Sequence, residues 1–202
     1  MALTIYGSPQ SRTKRVLWTA EELGLDYVHV PYAFDDTILK SPGFLAINSA
    51  GAIPAIDDDG VRVAESMAIN LYLAKRYGSG GEPPLYPATP QGEADVWRWS
   101  LWAQAHLEPW VQKDALLADL LAAMGDHRDA LIAKGLDLLN GSLAGRTWLL
   151  GEDFTVADLN VAAVLSPSRA ASLDLAAFGD VRRWLDRCYS RPAALATRTR
   201  FG

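Results

Sequence analysis

Residues Asn48–Ser66 run NSAGAIPAIDDDGVRVAES, and the way they fold decides the architecture of the N-terminal half. A proline inside a strand-like stretch removes a main-chain donor, so IPAID is expected at a sheet edge or in a loop. The DDDG turn joins it to VRVA, and the pair reads as an antiparallel hairpin. ESMAINLYLAKRYG follows as a helix. Its apolar stripe is Ile69, Leu73 and Tyr77, and its cations Lys75 and Arg76 lie in the last turn, where the helix dipole favours them.

Upstream of this stretch, LTIYG is apolar and β-prone and is closed by Gly7 and Pro9. SRTKRVLWTAEELGL places Val16, Leu17, Ala20 and Leu23 at helical spacing, with Gly24 where a helix end favours it. YVHVPY returns as a strand, and Phe34 to Ile47 is an irregular helix–loop mixture interrupted by Pro42 and Gly43. Residues 1–78 therefore read β-α-β-α-β-β-α, with the first two strands parallel. Glycines and prolines crowd the 79–91 stretch, the composition of a linker. Beyond it, 92–202 is expected to be an all-α domain, with helices over 89–112, 114–144, 155–171 and 178–190 and a tail helix after Pro192. The fold class is an α/β domain followed by an all-helical one.

Composition narrows the function. Half of the 202 residues are hydrophobic, enough for a sizeable core, and the net charge of −5 lacks the basic footprint of a nucleic-acid binder. MALTIYGSPQ has no charged segment followed by an apolar one, so no signal peptide is expected. No apolar run approaches the ~20 residues that span a bilayer. The expectation is a cytoplasmic protein with neither a nucleic acid nor a membrane as partner. The single cysteine, Cys188, excludes an intramolecular disulfide and any Cys-rich zinc site, and no metal site is expected.

In the helical half, Trp99, Ala103, His106 and Trp110 fall on one face of an uninterrupted helix, a spacing that usually marks core. His106 then reads as a structural histidine. FTVADLNVA is a helix start, with Thr155 as N-cap and Asp158 returning a bond in a variant of the capping box. On that reading Asp158→Ala costs about 0.5–2 kcal/mol.

Four pieces, SRTKRVLWTAEELGLDY, NSAGAIPAIDDDGVRVAESMAINLYLAKRYG, LLGEDFTVADLNVAAVL and WLDRCYSRPA, resemble the glutathione transferases in order and spacing over nearly the full chain. The resemblance implies a thioredoxin-like N-terminal domain, a helical C-terminal domain and a homodimer. It also implies a cis bond before Pro54, which turns the N–H and C=O of Ile53 toward solvent. An extended peptide can add to such groups as a strand, and glutathione is such a peptide. Glu65 and Ser66 then suit the ammonium and carboxylate of its γ-glutamyl end, at the start of a helix whose N–H groups attract anions. Lys40 suits the glycyl carboxylate. The family often has a long polar residue before the position of Ile53, whereas this chain has Ala52.

Family members activate the thiol with a Tyr, Ser or Cys near the end of the first strand or the start of the first helix. No cysteine lies there, so the sulfur nucleophile arrives with glutathione. Ser11, expected at the N-cap of the first helix, is the first choice, with Tyr6 and Ser8 as alternatives. Serine-type members often carry Asn two residues later; here it is Thr13. The implied function is a serine-type, bacterial-like transferase that joins glutathione to small hydrophobic electrophiles in detoxification. The alternatives are a glutathione-dependent peroxidase, isomerase or dehalogenase, or a non-catalytic binding module on the same fold.

Overall fold

The computed structural model describes residues 3–112 and 118–202. By compactness the chain forms two units, Met1–Tyr86 with Ser190–Gly202, and Pro87–Tyr189.

The first unit contains β1 (Leu3–Tyr6), α1 (Thr13–Glu22), β2 (Tyr27–Val30), a 3-10 turn (Thr37–Lys40), α2 (Pro42–Leu45), β3 (Ala55–Asp58), β4 (Val61–Ala64) and α3 (Ser66–Tyr77). The sheet order is β2-β1-β3-β4; β1 and β2 are parallel, and β3 pairs antiparallel with both β1 and β4. Pro54 ends up just outside the ladder, because β3 begins at Ala55. A missing N–H therefore costs the sheet nothing.

Strand alternation sorts β1 by face. Leu3 and Ile5 enter a core with Val16, Leu17 and Ala20 of α1 and Ile69 and Leu73 of α3. Tyr6 joins a smaller cluster with Leu39, Phe44 and Tyr32. Helix α1 ends as its glycine foretells. Gly24 has φ +60, its N–H reaches Glu21 C=O at 3.2 Å, and Leu25 N–H reaches Ala20 C=O at 3.0 Å. These are the paired bonds of a Schellman end.

The second unit holds α4 (Pro90–Trp102), a π-helical turn (Ala103–Leu107), α5 (Glu108–Val111), α6 (Ala118–Ala123), α7 (Asp126–Leu143), α8 (Val156–Val164), α9 (Pro167–Ala170) and α10 (Gly179–Ser190). Its core centres on α8, which is buried along its whole length and packs against α4. Asn160 of α8 donates to Ser100 Oγ of α4 at 2.9 Å, a fully buried polar tie between the two helices.

Four expectations change. The helix expected over 89–112 is broken at Ala103–Leu107 by a π turn. Pro109 has no N–H and its ring crowds the carbonyl four residues back, which a wider turn relieves. The extra residue rotates the stripe: Trp99, Ala103 and Leu107 are buried, while His106 is exposed and is not a core histidine. The expectation of one helix over 114–144 falls at 114–117 outside the described residues; from Ala118 onward the segment is two helices, separated at Gly125 with φ +45. The 155–171 helix stops at Val164 and restarts at Pro167, which suits a first-turn position. Finally, α11 (Pro192–Phe201), assigned above to the helical domain, packs on α1 and belongs to the first unit. Arg191 bonds Glu22 through two nitrogens at 2.9 and 2.8 Å, and Arg200 bonds Glu21 at 3.3 Å. Helical periodicity marks a buried face but does not say which neighbour covers it.

No helix among the described residues is long and apolar enough to cross a membrane, and no group of His, Cys, Asp or Glu there could hold a metal ion.

Candidate functional site

One row of paired residues, Val30–Tyr6–Ala55–Ala64, closes one end of the sheet. The candidate residues from 7–11, 53–54 and 65–66 all lie within five residues of that row, in the segments that leave or enter it. Three separate loops thus meet because the strands end in register.

Gly7 is the wedge between them. Its φ is +131, and a Cβ there would stand 2.2 Å from Thr13 Oγ1 and 2.9 Å from Ile53 Cβ. Only a residue without a side chain fits this gap and this backbone. On the Thr13 side, Ser11 Oγ lies 2.7 Å from Thr13 Oγ1, accepts from Thr13 N–H at 3.0 Å and donates to Ser8 C=O at 2.6 Å. Ser11, expected at the N-cap of α1, lies one residue upstream of the observed N-cap, Arg12, which makes no side-chain cap. The Ser11 hydroxyl still satisfies one of the orphan donors of the first turn.

Ser8 spends its hydroxyl on Gln10 Oε1 at 2.7 Å. Tyr6 stacks on Tyr32 at 6.0 Å between centroids and meets Phe44 edge-on at 5.9 Å. Burial, and then the Asp57 charge, raise its phenol above the ordinary range. The three hydroxyls considered for the thiol therefore have distinct surroundings.

On the other side of Gly7, the Ile53–Pro54 bond is cis. The ladder begins at Ala55, and no hydrogen bond outside the ladders reaches the Ile53 N–H or C=O among the described residues. The preceding loop is held by buried Asn48, which donates to Ala52 C=O at 2.8 Å and accepts from Ala50 N–H at 3.1 Å. Lys40 Nζ donates to Gly51 C=O at 3.1 Å, which sets an ammonium beside the same loop.

The start of α3 has the remaining features. Glu65 is its N-cap residue, with φ 69 and ψ 115 and no side-chain cap. A glutamate in this region carries strain of about 1–3 kcal/mol, and such strain concentrates at functional positions. Ser66 is the first helical residue and is 4 % exposed. Arg15 of α1, equally buried, donates to Ser66 Oγ at 3.3 Å. A guanidinium and a helix N-terminus without a side-chain cap together favour an anion here. Arg15 thus belongs to this corner.

Ser11, Ile53, Pro54, Glu65, Ser66 and Lys40 were candidates in the sequence; the packing at Gly7 and the bonds of Asn48 and Arg15 emerge only in the structure. Gly7 had registered only as strand punctuation.

These features define a thioredoxin-like sheet with an open main-chain edge beside an anion-attracting helix start. Residues 1–75 match the family "Glutathione S-transferase, N-terminal domain", and residues 103–192 match "Glutathione S-transferase, C-terminal domain". Glutathione S-transferase 3 of Zea mays is 34 % identical over 205 residues, covering 95 % of this chain and 90 % of the maize protein. Glutathione S-transferase GstB of Escherichia coli K12 is 30 % identical, covering 95 % of each chain. Among solved structures, glutathione S-transferase III in its apo form superposes with a TM-score of 0.80 at 33 % identity, covering 100 % of this chain and 97 % of that one. The chain belongs to the glutathione S-transferase family and is an enzyme of that transferase class.

Proposed function

We propose that this chain conjugates the glutathione thiolate to small hydrophobic electrophiles, through a serine-type site at the sheet end described above. The observation that carries the reading is the convergence of an Ile53 main chain unpaired among the described residues, an α3 start without a side-chain cap and the Ser11 hydroxyl around one glycine. Glutathione supplies the thiol nucleophile when bound. Ile53 pairs through its N–H and C=O with an extended peptide, fixing register without reading a side chain. The Ser66 N–H and hydroxyl receive the γ-glutamyl carboxylate, with Arg15 adding positive charge behind them. Glu65 faces the ammonium, and Lys40 takes the glycyl carboxylate.

Ser11 donates to the sulfur. Its oxygen already accepts from Thr13 N–H, so redirecting its proton from Ser8 C=O leaves that bond intact. Tyr6 sits in a ring cluster, while the Ser11 oxygen is held by the first N–H of α1, which favours Ser11 over Tyr6 and Ser8. Catalysis on this reading is thiol ionisation plus positioning. Detoxification in the cytoplasm by a homodimer is the corresponding biological role.

The test is steady-state conjugation of a chlorodinitrobenzene, run beside reduction of a hydroperoxide. Conjugation saturable in glutathione is expected to dominate. Absence of both activities, with no calorimetric binding at millimolar glutathione, contradicts the proposal.

Glu65 offers a further prediction. Glu65→Gly relieves the positive φ and raises stability by about 1 kcal/mol or less, after the entropy cost of glycine. The same change weakens glutathione binding about tenfold or more, the effect of removing a charged partner. Thermal unfolding and calorimetry on the one variant check both signs.

A further inference from the structure

We propose that His29 is a positioning residue, which holds the Gly7 carbonyl and with it the turn that carries Ser11. Phe201 of the C-terminal helix in turn holds the His29 ring.

Strand β2 is an edge strand, and His29 pairs in register with Ile5 of β1. Its Nε2 lies 2.8 Å from Gly7 C=O. A carbonyl only accepts, so this nitrogen carries the proton and donates. The Gly7 N–H is bonded to Val30 C=O at 2.8 Å. Both main-chain groups of the wedge glycine are thus anchored to β2, one by backbone and one by side chain. That pair of bonds fixes the peptide orientation at φ +131, where Gly7 spaces Thr13 from Ile53. Ser8 follows directly, and its carbonyl receives both the N–H and the hydroxyl of Ser11.

The ring is braced from outside the sheet. Phe201 meets His29 edge-on, with centroids 5.2 Å apart and planes at 84°. Phe201 is itself held where Arg191 and Arg200 tie α11 to Glu22 and Glu21, and where Lys14 donates to the Gly202 carbonyl. A line of contacts therefore runs from the C-terminal helix through Phe201 and His29 to the wedge between the two halves of the site.

The kinetic consequences rest on the glutathione reading above; the geometric part is testable without ligand. His29→Phe keeps an aromatic ring against Phe201 and removes the donor. His29→Gln keeps an N–H donor at the reach of Nε2. In the unliganded protein, amide exchange over residues 8–13 is expected to rise about tenfold in the Phe variant and to stay near wild type in the Gln variant. Phe201→Ala should raise exchange over the same residues. In turnover, the Phe variant should lose about tenfold in kcat, with KM for the electrophile unchanged and activity restored by Gln. Unchanged exchange in His29→Phe, or equal impairment in Phe and Gln, overturns the proposal. If exchange responds as expected but the wild-type protein neither binds nor turns over glutathione, the positioning role is supported and the functional reading fails.

Discussion

Asp158→Ala lowers the stability of the helical unit by about 3–5 kcal/mol, several times what a helix cap alone supplies. The carboxylate is fully buried and is the acceptor at the centre of that unit. Its Oδ1 takes Leu149 N–H at 2.8 Å and Trp184 Nε1 at 2.9 Å, and its Oδ2 takes Thr155 N–H at 3.0 Å and the Thr155 hydroxyl at 3.2 Å. Burial pushes its pKa up, and these four donors pull against that. Alanine leaves three buried N–H groups without an acceptor, and each costs about 1–3 kcal/mol, partly recovered by relaxation. The thermal midpoint should fall by about 10 °C or more for a chain of this size. Asp158→Asn restores one acceptor oxygen but aims an amide N–H₂ at the Thr155 donors, so it should recover only part of the loss. A fall of only one or two degrees for alanine would mean the four bonds do not act as drawn.

The second large effect is on chemistry. Ser11→Ala should reduce kcat/KM for conjugation about 100-fold, the scale of losing one donor to a developing or resident anion. A free thiol with pKa near ~8.5 is only about 3 % ionised at pH 7, and lowering it by two units makes it about three-quarters ionised. That change corresponds to roughly 2.7 kcal/mol, within reach of one charge-assisted hydrogen bond aided by a helix start. The thiolate absorbance of bound glutathione, followed against pH, should move upward by about one unit or more in Ser11→Ala. Ser11→Thr keeps the hydroxyl and should retain part of the activity. Tyr6→Phe should change the rate little, because the Tyr6 ring lies in the cluster with Tyr32 and Phe44. If Tyr6→Phe is the damaging change and Ser11→Ala is silent, the assignment of the donor is reversed.

These two sites differ in how much of them local sequence shows. The capping box is visible in FTVADLNVA, since Thr155 and Asp158 are three residues apart. The bonds that raise the cost come from Leu149 and Trp184, brought in by packing and invisible to spacing. The same holds across the fold. Pro54, the DDDG turn and Gly24 impose their conformations locally, so the hairpin and the end of α1 were legible. The π turn was not, because Pro109 distorts residues that precede it while the stripe pattern continues unbroken through them. The docking of α11 on α1 depends on Arg191, Arg200 and Phe201 finding partners far away in sequence. At the site, Ile53, Glu65 and Ser66 were candidates through the resemblance, beside a proline and a helix start that the sequence shows. The bond from Arg15 to Ser66 exists only once α1 and α3 pack side by side. Strand alternation separated Tyr6 from Ile5, but it could not say that the Tyr6 face would hold Tyr32 and Phe44.

A crystal structure of the protein grown with glutathione is the most direct examination of the sheet-end site. The account predicts an extended tripeptide beside residue 53, its cysteinyl N–H and C=O each about 3 Å from the Ile53 main chain, its γ-glutamyl carboxylate on Ser66 and its sulfur against Ser11. Glutathione bound away from Ile53, or bound there with its sulfur facing neither Ser11 nor its neighbours, would contradict it.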